Sequence, residues 1–182
     1  MSIDTETKLK LYMLIVNRYK ELISKSEERS ISEIRQRCSP YDDFVRKLRD
    51  KLVSDLHPYE YDKHFFQALH RVINYAKDIK TFEFLLNFWM NFEEIDELKA
   101  APLMDKSLLL TALLRSLDCP DAKVYVTKSK KIYVGFKWSG SGYLIDAATC
   151  SLLSGEFAEH AFMSDPLAYV FNDLSYESFE EG

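Results

Sequence analysis

The chain has 182 residues, of which 47% are hydrophobic and 29% are charged, and its formal net charge is -5. This length predicts one domain with a single core. The composition excludes wholesale disorder and collagen-like repeats. The negative net charge excludes sequence-independent binding to nucleic acid, which depends on clustered positive charge. We therefore predict a folded domain that does not take nucleic acid as its partner.

The cysteine content predicts a reducing compartment. Cys38, Cys119 and Cys150 are too few and too scattered for a disulfide framework, and no CxxC pair is present. The apolar run over 11–16 is too short for a signal-peptide core or a membrane span. We therefore expect a cytoplasmic protein with no membrane partner, no metal and no cofactor.

The first hundred residues predict helices, because apolar residues recur three and four positions apart. The stripe of the first helix is typical of core packing, with a partner surface as the alternative. The first predicted helix carries the apolar stripe from Leu11 to Ile23, and a short second helix begins with the capping box of Ser30 and Glu33. Three further helices are predicted over 44–56, over 65–76 with Asp62 as the cap, and over 82–90.

A helix beginning near Pro102 is apolar on nearly every side, which predicts a buried central element. Its apolar residues are Leu108, Leu109, Leu110, Ala112, Leu113 and Leu114. After Asp118 the pattern changes to alternation, with strands predicted over 123–127, 132–138 and 143–146 and a turn over Ser139 to Gly142. Helices followed by an antiparallel meander predict an α+β fold, with a helical N-terminal half and the central helix packed on a small antiparallel sheet.

The organisation predicted along the chain is a single domain over 1–182. Residues 1–60 form a helical N-terminal extension, residues 61–174 form the core, and residues 175–182 form a flexible acidic tail. No Lys or Arg follows Lys137, whereas acidic residues continue to the end of the sequence.

Three stretches around the central helix resemble the core of transglutaminase-like proteins, a superfamily with a papain-like fold. They are Asn91 to Lys99, Met104 to Asp118, and Ala122 to Val126, and they look most similar to small archaeal-type members. The residues in step with that pattern are Trp89, Glu93, Glu94, Asp105, Lys106, Leu113, Leu114 and Arg115. The resemblance implies a papain-like arrangement of the central helix on the sheet.

Two of the three residues that carry chemistry in active members are replaced here, and only the Asp remains. The resemblance puts the family's Cys at Leu103, its His at Lys131 and its Asp at Asp146. A low thiol pKa needs a Cys beside a helix N-terminus and an imidazolium. Because Leu103 has no thiol and Lys131 no imidazole, the resemblance implies a shared fold without the shared reaction. We expect the Lys131 ammonium to face the Asp146 carboxylate instead.

Other candidate sites have simpler interpretations. His57, Glu60, Asp62 and His64 lack the spacing of a familiar zinc helix and are interpreted as surface residues. Cys119 at the exit of the central helix is interpreted as a small apolar filler. The basic residues Arg35, Arg37, Arg46, Lys47, Arg49 and Lys51 are interpreted as a solvated helix face rather than a phosphate site.

The functional prediction is a catalytically degenerate, non-enzymatic domain that binds a peptide or a protein in the cleft between the central helix and the sheet. One alternative is an active hydrolase or acyl transferase with a displaced nucleophile, either Cys150 or Ser107 assisted by Lys131. A second alternative is a structural subunit of a complex, which an exposed apolar patch on the first helix would favour. The sequence leaves the oligomeric state open.

Overall fold

The structure is a computed structural model that describes residues 4–83, 86 and 88–179. Seven helices and eight strands lie in these residues. The helices are α1 (Thr5–Ser26), α2 (Ile31–Gln36), α3 (Asp43–Leu52), α4 (Tyr61–Lys77), α5 (Phe92–Leu98), α6 (Leu103–Ser116) and α7 (Glu156–His160). The strands are β1 (Lys80–Thr81), β2 (Ala100–Ala101), β3 (Lys123–Thr127), β4 (Ile132–Trp138), β5 (Ser141–Asp146), β6 (Leu152–Ser154), β7 (Leu167–Phe171) and β8 (Tyr176–Ser178).

Six of the strands form one antiparallel sheet in the order β6-β5-β4-β3-β7-β8. The short strands β1 and β2 form a separate parallel pair. Helices that precede an antiparallel sheet confirm the predicted α+β class.

Helix α6 is the central element, as its sequence predicts. All residues from Asp105 to Arg115 are buried, and its leucines belong to the same core cluster as Val124 and Val134 of the sheet. Helix α4 covers the same sheet face, where the Phe65 ring meets the Phe136 ring edge-on with centroids 5.5 Å apart. We call this the helix face of the sheet, and the opposite side the outer face.

The β4–β5 hairpin turns earlier than the predicted Ser139 to Gly142 turn. Only Ser139 and Gly140 lie between the strands, with φ of 49° and 79°, and Trp138 pairs with Ser141. Two consecutive residues with positive φ are typical of a two-residue hairpin turn, because the backbone of such a turn twists in the same sense as the strands that it joins. The register that follows places Asp146 opposite Tyr133.

The segment over 82–90 is not helical at its described residues, which corrects the prediction; residues 84, 85 and 87 lie outside the described residues. The chain leaves β1 extended, since the Phe82 N–H donates to the Ala101 carbonyl at 3.3 Å. Helix α4 also starts earlier than predicted, with Glu60 rather than Asp62 at its N-cap. In the segment that follows β1, backbone pairing with β2 outweighs the local helical pattern of the sequence.

Both ends of the chain differ from the expectation. Helix α1 has no buried residue, so its stripe is not part of the core. The rest of the predicted 1–60 extension does reach the core, through Cys38, Val45 and Leu48. The tail that was predicted to be loose contains strand β8. This strand pairs with β7, and its Tyr176 lies opposite Phe171 of β7.

Candidate functional site

The N-terminus of α6 opens into a cleft of about 970 Å³, which we call the α6 cleft. Pro102 is the N-cap and Leu103 is the first helical residue. Proline suits a helix start because the missing N–H would have no partner inside the helix. The residues that line the cleft are Ser24, Glu27, Glu28, Arg29, Phe82, Glu83, Leu86, Phe88, Trp89, Pro102, Leu103, Met104, Asp105 and Lys130. The position that the resemblance gives to a nucleophile is therefore occupied by a half-buried isobutyl group at an open cleft.

Asp105, in the first turn of α6, is buried and ion-paired with Arg37 at 2.7 Å. Burial raises the pKa of this carboxyl to about 6, although the Arg37 guanidinium acts in the opposite direction. Arg37 also donates to the Met90 carbonyl and lies over the rings of Trp89 and Phe92, 5.7 and 4.9 Å from their centroids. The Arg37 guanidinium therefore links α6 to the 88–92 segment, which forms a wall of the cleft.

Two further polar side chains of α6 are buried and engaged in structural hydrogen bonds. The Lys106 Nζ donates to the Ile79 carbonyl at 3.0 Å, which ties α6 to the end of α4. The Ser107 Oγ donates to the Met104 carbonyl at 2.7 Å, one turn back in the same helix. Ser107 is completely buried, so its hydroxyl does not reach the cleft.

Asp146 ends β5 on the outer face of the sheet. The β4–β5 register pairs it with Tyr133, whose ring meets the Phe162 ring on that face at a centroid distance of 5.7 Å. Its Oδ1 accepts the N–H groups of Ala148 and Thr149 at 2.8 and 2.9 Å. The carboxylate therefore caps the turn after β5, which is a common local role of Asp.

Lys131 and Lys130 lie in the β3–β4 turn and have different surroundings. Lys131 is exposed, and its N–H donates to the Thr127 Oγ1 at 3.0 Å. Within residues 4–83, 86 and 88–179 it forms no ion pair with Asp146, so the expected contact is absent. The neighbouring Lys130, with a φ of 66°, lines the α6 cleft together with Leu103. The structure thus brings Leu103 and Lys130 to one cleft and leaves Lys131 and Asp146 outside it.

The residues of β4 and β5 that point toward α6 are one position away from those that the resemblance gives. Side chains alternate along a strand, so Ile132 shares the helix face with Val134, and Ala147 continues the helix face of Ile145. The Ala147 N–H donates to the Ile132 carbonyl at 3.0 Å, which holds the two residues side by side. Both side chains belong to the buried core.

Sequence reasoning missed Lys130 as a cleft residue and Arg37 as the ion-pair partner of Asp105, which lines the cleft. Arg37 was assigned to a solvated basic face, but it pairs with Asp105, 68 positions away. Arg35 of the same face donates to the carbonyls of Asn172 and Asp173 at 2.9 and 3.1 Å. An acid in the first turn of a buried helix could have indicated that a basic partner was needed, but not which one.

The cysteines are all buried. Burial raises the pKa of Cys38 to about 12 and that of Cys119 to about 11. Cys150 is 1% exposed and follows the turn that Asp146 caps. Since the thiolate is the nucleophile, no observation on these thiols favours a displaced catalytic cysteine.

The candidate metal cluster between α3 and α4 is engaged in local contacts. The Glu60 N–H donates to His64 Nδ1 at 3.0 Å, and the Glu60 carboxylate pairs with Lys63 at 2.6 Å. Across the described part of the chain, no three His, Cys, Asp or Glu side chains are grouped to hold a metal ion. No helix among the described residues is long and apolar enough to span a bilayer.

No protein-family model, curated protein or solved structure matches this chain. The geometry around α6 is therefore the basis on which function is inferred.

Proposed function

We propose that this chain is a transglutaminase-like domain without the catalytic thiol, and that it binds a polypeptide segment in the α6 cleft. The observation that carries this proposal is the open cleft of about 970 Å³ at the N-terminus of the buried helix, which is lined by Leu103, the residue at the position that the resemblance gives to the nucleophile. An open cleft with an apolar residue at that point favours binding over acyl transfer, because acyl transfer needs an activated nucleophile.

The order of elements supports the papain-like part of the proposal. A buried helix is followed by three antiparallel strands, of which β3 and β4 pack on it, with β4 starting and β5 ending beside one another. The neighbouring residues at these two strand ends that lie in the core are Ile132 and Ala147, one position away from Lys131 and Asp146. Both are apolar, and Leu103 packs against the same core cluster.

The lining of the cleft supports a polypeptide as the ligand. Phe88, Trp89 and Leu103 provide apolar surface, and charged side chains of both signs, among them Lys130 and Glu28, line the same cleft. Apolar pockets beside a few polar groups are typical of peptide and ligand sites. A segment with a large apolar side chain and a neighbouring charged side chain would meet both kinds of surface.

A displayed library of random peptides tests this proposal with the full chain as bait. We expect the wild type to enrich peptides that carry an aromatic residue next to a charged one. Leu103→Arg, which fills the cleft with a charged side chain, should abolish that enrichment. Leu98→Arg, at an exposed site of α5, is the matched control and should enrich the same peptides. Equal enrichment by Leu103→Arg, or none by a folded wild type, would overturn the proposal.

The other functions have unequal support. The displaced-nucleophile alternative has no supporting observation, because Ser107 and Cys150 are buried. The structural-subunit alternative is favoured by a different part of the molecule, the exposed apolar residues of α1.

A further inference from the structure

Helix α1 exposes a large apolar surface, which we call the α1 face. Its residues are Leu9, Leu11, Tyr12, Met13, Ile15, Val16, Tyr19, Leu22 and Ile23. Seven of them are 44–66% exposed, and Leu14, which is 53% exposed, lies on the opposite side of the helix. At about 100° per residue they span an arc of about 200°, against about 100° for a helix that lies on a core. Such a surface is typical of an interface in which a groove encloses the helix on more than one side.

Charge indicates what kind of surface would enclose α1. The helix has five basic and two acidic residues, a net charge of +3, in a chain whose net charge is -5. Everything outside α1 therefore carries -8. Two α1 helices would repel each other, and an anionic membrane would repel the rest of the chain. The acidic body of a second copy attracts α1.

The body has an apolar groove that could receive it. This α2 groove, of about 500 Å³, lies between α2 and the strand pair β7–β8. Ile31, Ile34, Met104, Phe171 and Tyr176 are among its walls, and none of its lining residues comes from α1. Strands β7 and β8 belong to the segment 138–182, which contains eight acidic residues and no Lys or Arg. The one charged residue that lines the groove is Arg35, so the match with α1 is between apolar surfaces, while the net charge of -8 outside α1 attracts the basic helix.

We propose that two copies of this chain exchange their α1 helices, so that each α1 face packs in the α2 groove of the other copy. The contact is reciprocal, as a two-fold dimer requires. A 22-residue helix is about 33 Å long, so enclosing half of its surface buries about 500 Å². Two exchanges, counted on both partners, bury about 2,000 Å², which is in the range of stable dimers. This inference does not rest on peptide binding in the α6 cleft, although Met104 lines both the cleft and the groove.

Sedimentation of the full chain at micromolar concentration tests the dimer. Tyr12 and Tyr19 lie at the centre of the α1 face, so the double variant Tyr12→Asp/Tyr19→Asp should weaken dimerisation by about 100-fold. The matched control Leu14→Asp/Asn17→Asp adds the same charge to the opposite side of α1 and should remain dimeric. Raising the salt concentration should weaken the wild-type dimer. A monomeric wild type would overturn the proposal.

The groove is tested by Ile31→Asp, at an exposed first position of α2 where an acid favours the helix. We expect this variant to be monomeric with an unchanged circular dichroism spectrum. Mixed with Tyr12→Asp/Tyr19→Asp, it should form a heterodimer, because one intact α1 face then meets one intact groove. If Ile31→Asp remains dimeric, or if mixing gives no heterodimer, exchange into the α2 groove is wrong and α1 pairs elsewhere.

Discussion

Replacing Arg37 by Met should expose the energetic role of the buried ion pair at the α6 cleft. Methionine keeps an apolar side chain of similar length but removes the charge that faces Asp105. The Asp105 carboxylate is 1% exposed, so it would remain buried with no counter-ion. Because Arg37 also holds the Met90 carbonyl, the same change loosens the wall of the cleft.

The expected loss is about 3 kcal/mol at pH 8, the lower end of the ~3–5 kcal/mol range for breaking a buried pair, because Arg37 is partly exposed. The loss depends on pH. The pKa of Asp105 in the folded wild type is about 6, above its ordinary value of 3.8. The protonated carboxyl therefore stabilises the fold below about pH 4, and this contribution disappears as the pH rises through 6. Removing Arg37 raises the pKa further, so the variant should recover relative to wild type on acidification.

Urea unfolding at pH 8 and pH 5 measures the effect. The difference in unfolding free energy between wild type and Arg37→Met should be smaller at pH 5 than at pH 8 by about 1 kcal/mol or more. This amount corresponds to roughly one pKa unit. Arg37→Met/Asp105→Leu should be more stable than Arg37→Met alone, since no buried charge is left. Arg46→Met, which breaks the exposed pair with Asp43, is the control and should change little at either pH. If Arg37→Met loses the same unfolding free energy at both pH values, the reasoning that burial dominates the pKa of Asp105 is refuted.

Three further predictions concern the core and the thiols. Gly135→Ala should lower the thermal midpoint sharply, because an added Cβ would lie 2.5 Å from Tyr125 Cε2, and an unchanged melt would contradict that contact. Leu113→Ala should cost ~2–5 kcal/mol in chemical unfolding since Leu113 is 1% exposed, whereas Leu98→Ala, at 65% exposure, should cost far less. Iodoacetamide at pH 7 should leave the native thiols unlabelled within minutes, since burial raises the pKa of Cys119 to about 11; rapid labelling of one thiol would contradict this.

The sequence by itself determined helices α1 to α4, strands β3 to β5 and the place of the central helix. Strands β3 and β4 coincide with their predicted ranges, and α6 starts directly after Pro102. Alternation and helical periodicity are properties of neighbouring residues, so one sequence is enough to read them. The sequence also shows that the first residue of α6 is Leu103, which has no thiol.

The tertiary structure decided which surfaces meet. The stripe of α1 fits a core or a partner equally well, and only the packing shows that it is exposed. Arg37 lies in a basic run that resembles a solvated face, but the fold brings it to Asp105. Asp146 ends a strand as predicted, yet its side chain lies on the face opposite α6, because helix packing decides which face is covered. These outcomes depend on contacts between residues far apart in the chain, which compete with local preferences and are absent from any short window of sequence.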